Sequence, residues 1–253
     1  GEAWSQGNSL SFDGLERSYS VYVPSSGVPQ GLILLLHGSG QSTNQMISET
    51  DVEGTAEQNG LLVVAPAGLD GGWNDEDPPG NGLADDVGFI DALVMELKAS
   101  YPSLLSQHVF AHGFSNGGGL ATRLACESTQ MRGVGVLGNY YTPTLDSCPR
   151  PVGHPVPGWF GAGTEDELVP VESVQAAMPS YLADLTDCLD AVSLQAVEDA
   201  ELDNGVICKQ FPACDGARLC EYTGRGHEVL PGSLGAAWSF LSDRVASNTE
   251  EPS

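Results

Sequence analysis

Positive charge is what this 253-residue chain has least of. Nine basic residues stand against 34 acidic ones, a formal net charge of −25, and lysine occurs only at Lys98 and Lys209. Such a surface repels nucleic acid and anionic lipid over a Debye length of about 8 Å, which excludes a polyanion-binding role. Long apolar runs are also missing. The longest, Gly31-Leu32-Ile33-Leu34-Leu35-Leu36, has the length of a strand and falls well short of the ~18 residues of a membrane helix. The six cysteines include no Cys-x-x-Cys pair and have no histidine cluster beside them, which argues against zinc. Gly1-Glu2-Ala3-Trp4 has neither the basic nor the apolar region of a signal peptide. With no internal repeats and no separating linker, a single domain over residues 1–253 is expected, with 246–253 as a frayed polar tail.

What is present begins with those cysteines. Without metal-binding spacing they point to an oxidising compartment, either secreted or periplasmic. Cys208 and Cys220 fall on two β-like segments. The turn between these segments centres on Cys214, which sets Cys208 opposite Cys220. That leaves Cys126 with Cys148 and Cys188 with Cys214. The acidic runs Asp75-Glu76-Asp77 and Asp85-Asp86 lack the spacing of a calcium loop. Neither a metal nor a cofactor is expected.

Hydrophobic patterning places strands and helices in alternation. One or two edge strands precede Pro24, and Leu32–Leu36 reads as a central strand apolar on both faces. A helix is expected from Met46 to Gln58, stopped by Asn59-Gly60. Leu61–Ala65 is the next buried strand. Val87, Ile90, Val94 and Leu97 share one face of a helix over Asp85–Ala99. Further strands are expected at Val134–Leu137 and Gly158–Gly161, and further helices at Val171–Leu185 and Ser233–Val245. Such an alternation implies an α/β fold, a mostly parallel sheet with helices on both faces.

Gly113-Phe114-Ser115-Asn116-Gly117 stands between a β-like segment, 107–111, and a helix-like one, 118–126. A Gly-x-Ser-x-Gly in that position is a nucleophile elbow: the chain turns sharply and leaves the serine Oγ exposed above a helix N-terminus. A serine hydroxyl needs a base to take its proton and a carboxylate to hold that base, here following in the order Ser, Asp or Glu, His. Asp166 is the candidate acid, with Glu165 and Glu167 as competitors in the same loop. His227 is the only histidine after it. His37 is expected to brace the neighbouring loop, His108 and His112 to be structural, and His154 to lie at the surface. An oxyanion needs preorganised N–H donors. The amide of Asn116 is one, and that of Ser39 the second, with Gly40 as runner-up. Trp73 is a candidate for the acyl pocket.

These motifs together resemble the secreted esterases that include polyhydroxybutyrate depolymerase-like proteins, feruloyl esterases and acetylxylan esterases of carbohydrate esterase family one. The resemblance covers roughly residues 15–245. It rests on Leu36-His37-Gly38-Ser39-Gly40-Gln41, Pro66–Asn74 ending in Gly71-Gly72-Trp73-Asn74, Asp85–Ile90, Gly113–Gly118, Gly163-Thr164-Glu165-Asp166 and Gly226–Gly232. It implies an α/β-hydrolase fold, a triad of Ser115, Asp166 and His227, secretion, and cysteine pairs near the second and third triad loops. Two departures bear on substrate preference. Depolymerase-like members often carry cysteine where Ser39 stands and an aromatic residue where Leu230 stands, both positions near the acyl pocket. The expectation is a serine carboxylic-ester hydrolase, acting as a monomer on feruloyl or acetyl esters of plant polysaccharide. Its alternatives are a depolymerase of polyhydroxyalkanoate or other polyester oligomers, and a non-catalytic binding homologue.

Overall fold

A computed structural model of the chain describes residues 4–75, 83–104, 108–142, 148, 155–186, 188–189, 193–197 and 205–247. The first two strands, β1 (Trp4–Phe12) and β2 (Leu15–Tyr22), form a hairpin. Its turn residues, Asp13 and Gly14, have φ of 50° and 75°. A two-residue turn with both positions left-handed matches the twist of the flanking strands.

The chain then alternates. β3 (Gly31–Leu36) leads through α1 (Thr43–Glu49) and α2 (Val52–Asn59) to β4 (Leu61–Pro66), and α3 (Asp86–Ser100) leads to β5 (Val109–Phe114). α4 (Asn116–Glu127) follows, then β6 (Gly133–Leu137), β7 (Gly158–Gly163) and α5 (Val171–Leu185). A short β8 (Gln195–Val197), the hairpin of β9 (Val206–Phe211) with β10 (Cys214–Tyr222), and α6 (Ser233–Ser247) complete it. Among the described residues ten strands form one sheet, in the order β1-β2-β4-β3-β5-β6-β7-β10-β9-β8. The run from β4 to β10 is parallel and the flanking strands are antiparallel.

Every residue of β3 to β7 is buried, so the sheet needs a cover on each face. Leu32, Leu34 and Leu36 belong to the core on the face of α3, α4 and α5, while Ile33 and Leu35 belong to the core on the face of α1, α2 and α6. That split is the period-2 alternation of a strand made into two cores.

The helix expected over Met46–Gln58 is two helices. The Thr50 amide bonds back to Ile47 O and ends α1, and the Asp51 carboxylate accepts from the Gly54 amide and caps α2. Thr50-Asp51 thus closes one helix and opens the next, a signal that hydrophobic period alone does not carry. Among the described residues no helix is long and apolar enough to cross a membrane. Glu76, Asp77 and His154 lie outside the described residues. The loops after β3, β5, β7 and β10 gather at the carboxyl edge of the parallel strands, where open α/β sheets bind their ligands.

Candidate active site at the carboxyl edge of the sheet

Ser115 joins β5 to α4 with φ 52° and ψ −121°, a conformation that L-residues avoid and that costs about 1–3 kcal/mol. Glycine makes the turn possible. A methyl group on Gly113 would lie 2.1 Å from Gly117 O, and one on Gly117 would lie 2.4 Å from Leu36 O. The elbow is held from outside as well. The Ser115 amide donates to Leu137 O at 2.8 Å, and Asn139 Nδ2 donates to Ser115 O at 2.8 Å. The hydroxyl is left half-buried above the first turn of α4.

His227 reaches it from the loop after β10, with Nε2 3.0 Å from Ser115 Oγ. The other ring nitrogen, Nδ1, is 2.8 Å from Asp166 Oδ2. The imidazole is seated between the Phe114 ring, centroids 4.9 Å apart, and Gly138, where an added methyl would stand 3.1 Å from its Cε1. Asp166 is buried, and its Oδ1 accepts the amides of Leu168 (2.9 Å) and Val169 (2.8 Å). A carboxylate fixed by two backbone donors can orient an imidazole without rotating itself. Glu165 and Glu167, in the same loop, are exposed.

Parallel pairing of β7 with β10 brings these two loops side by side. They are then stitched together by Glu165 N–H to Arg225 O (2.8 Å) and Gly224 N–H to Thr164 Oγ1 (3.0 Å).

The loop after β3 flanks the serine on its other side. The Gly40 amide is used, donating to Gly71 O at 2.8 Å. Among the described residues the amides of Ser39 and Asn116 find no acceptor within the chain. His37 braces this loop. Its Nε2 accepts from the Gly68 amide at 3.0 Å, so Nδ1, 2.9 Å from Gly38 O, carries the proton. Burial pushes its pKa below the ordinary imidazole value, and the bond to Gly38 offsets this only in part.

Two side chains missed in the sequence complete the frame. Asn116 clamps the backbone of Trp73, accepting from its amide at 2.7 Å and donating to its carbonyl at 3.0 Å. Gln41 accepts the Gly38 amide at 2.8 Å and donates to Glu49 at 3.1 Å. Trp73 itself is only 6% exposed, its indole N–H donated to His37 O at 2.9 Å. Leu230 is 2% exposed within the core under α6. Both side chains are therefore buried, and Leu230 also lines the groove between α2 and α6.

Three disulfides staple the surrounding segments: Cys126–Cys148, Cys188–Cys214 and Cys208–Cys220. The last joins residues directly opposite each other on β9 and β10.

No protein-family model matches the chain. It is 32% identical over 173 residues to NocK of Nocardia uniformis subsp. tsuyamanensis, an esterase by assignment, the match spanning 65% of this chain and 49% of NocK. It is 28% identical over 242 residues to feruloyl esterase C of Emericella nidulans, spanning 89% of this chain and 83% of that protein. The chain thus spans about half the length of NocK but most of the length of the second relative. The solved acetyl xylan esterase from Aspergillus awamori superposes with a TM-score of 0.70 at 15% identity, covering 92% of this chain and 98% of that one. Its topology and this superposition show the α/β-hydrolase fold. Its sequence relatives include feruloyl esterases and a bifunctional acetylxylan esterase/xylanase.

Proposed function

We propose that the chain is a serine carboxylic-ester hydrolase that works through an acyl-enzyme. The observation that carries this reading is the hydrogen-bonded series Ser115 Oγ–His227–Asp166, with contacts of 3.0 and 2.8 Å. Ser115 Oγ attacks the ester carbonyl carbon while His227 Nε2 takes its proton. Asp166 holds the Nδ1–H tautomer and stabilises the imidazolium. The amides of Ser39 and Asn116 receive the oxyanion, each such donor contributing about 3 kcal/mol of transition-state stabilisation. His227 then passes the proton to the departing alkoxide, and the C–O bond of the ester breaks. Water repeats the sequence on the acyl-serine and releases the acid.

The substrates that fit are feruloyl or acetyl esters of plant polysaccharide, because relatives along most of the chain bear those activities in their names. A half-buried nucleophile at an open sheet edge suits an ester carried on a large alcohol. Three disulfides favour an extracellular or periplasmic setting.

Ser115→Ala should lower turnover of p-nitrophenyl acetate by at least about 10³-fold, since the attacking oxygen is gone. Circular dichroism should show an unchanged fold. Retention of more than a few per cent of activity contradicts the assignment. A parallel screen on methyl ferulate, acetylated xylan and hydroxybutyrate oligomers decides the substrate class. Preference for the last would replace the polysaccharide reading with a depolymerase.

A further inference from the structure

The segment from Leu69 to Trp73 runs between the two parts of the chain that carry the oxyanion donors. Leu69-Asp70-Gly71-Gly72 is a tight turn, closed by the Gly72 amide on Leu69 O at 3.0 Å. Its central residues, Asp70 and Gly71, have φ of 51° and 78°, left-handed at both positions as in the narrow turns of hairpins. A turn closed in this way is a short, stiff strut.

One end of the strut holds the loop after β3. Gly71 O accepts the Gly40 amide at 2.8 Å, and Gln41 Oε1 accepts the Gly38 amide at 2.8 Å. Ser39 is thus fixed from the residue on each side, while its own amide is left for the oxyanion. The Trp73 indole adds a bond to His37 O at 2.9 Å. The other end holds α4. Asn116 Oδ1 accepts the Trp73 amide at 2.7 Å, and Nδ2 donates to Trp73 O at 3.0 Å. Gly72 stands between the two ends: a methyl group on it would lie 3.4 Å from Asn116 Oδ1 and 4.0 Å from Ser39 Oγ.

Gripping both the N–H and the C=O of one residue takes a group that accepts and donates at once, which a carboxamide does. An oxyanion donor is effective only where the charged oxygen will stand, so an error in the spacing of two amides slows the chemical step without weakening substrate binding.

We propose that the Asn116 side chain is a positioning residue for the oxyanion hole: by clamping Trp73 it sets the spacing between its own amide and that of Ser39. The assignment rests on the ester-hydrolase reading. Asn116 then acts twice, as donor through its backbone and as spacer through its side chain.

Asn116 is only half-buried, so Asn116→Ala spares the core and keeps the backbone donor. With p-nitrophenyl acetate its kcat should fall about 10- to 100-fold, less than the loss of a whole donor, while KM stays within about twofold. A trifluoromethyl ketone reads the hole directly. Ser115 Oγ adds to its carbonyl carbon, the serine proton passes to His227, and the carbonyl oxygen becomes the oxyanion. Its affinity should fall by the same factor as kcat/KM. Asn116→Ser, whose hydroxyl is too short to span both Trp73 atoms, repeats the test should alanine unsettle the start of α4. A kcat within about twofold of the parent, a loss confined to KM, or an unchanged ketone affinity overturns the positioning role and leaves the esterase reading standing. A parent that neither turns over the ester nor binds the ketone overturns both.

Discussion

His112 lies on β5 three residues before the proposed nucleophile, fully enclosed, with Ser233 Oγ 3.4 Å from its Nε2 and the Trp159 ring 6.3 Å away. Burial pushes its pKa down from 6.5 to about 4. The unfolded chain therefore binds a proton at a pH where the folded one does not, and stability falls as the pH drops from 6.5 towards 4. At 1.36 kcal/mol per unit, the contribution is at most about 3 kcal/mol. Urea unfolding across that window should show a His112→Leu variant with a flatter pH dependence than the parent. Parallel curves would contradict the assignment. Single residues differ in how much of this is legible from sequence. That Ser115, Asp166 and His227 come within hydrogen-bond distance was legible, because the elbow marks the serine and chain order marks the two side chains that meet it. The Asn116 clamp on Trp73 was not, because it joins side chain and backbone 43 residues apart. Trp73, a candidate for the acyl pocket or for a structural role from its place at the sheet edge, is buried, with its indole N–H bonded to His37 O and its backbone held by Asn116.

At the level of elements, the loop beside the site hangs on a buried ion pair. Arg17 of β2 meets Asp86 of α3 at 2.6 Å, with side chains 2% and 1% exposed. The second Asp86 oxygen accepts the Asn74 amide at 2.7 Å. The guanidinium also lies over the Phe89 ring, 4.0 Å from its centroid. Asp86→Ala leaves that cation buried without its partner, at a cost of about 3–5 kcal/mol. Chemical denaturation measures this loss, and a change below about 1 kcal/mol would show that the pair is a bystander. Cys208–Cys220 makes a separate contribution. Replacing both cysteines by alanine should cost about 3 kcal/mol by releasing the unfolded chain, read as a lower urea midpoint under oxidising conditions. Element types were legible wherever pattern and length agreed. α5 runs from Val171 to Leu185, the same bounds as the apolar pattern. The break between α1 and α2 and the short β8 were not legible, since one depends on a cap and the other on edge pairing with β9.

For the whole molecule the net charge of −25 dominates. Like charges spread over one compact surface repel, and salt screens that repulsion. The melting temperature should rise with added NaCl, and a flat or falling trend would mean that the acidic surface is offset locally. The α/β class was legible because buried strands alternate with helices. The edge at which the loops converge is set by parallel pairing between distant strands, which no local pattern contains. That convergence at Ser115 is the central claim, and a fluorophosphonate probe tests it most directly. Peptide mapping after labelling should find the adduct on Ser115 alone, and no adduct in the His227→Ala variant at the same exposure time. An unlabelled protein, or an adduct on another serine, would contradict the account.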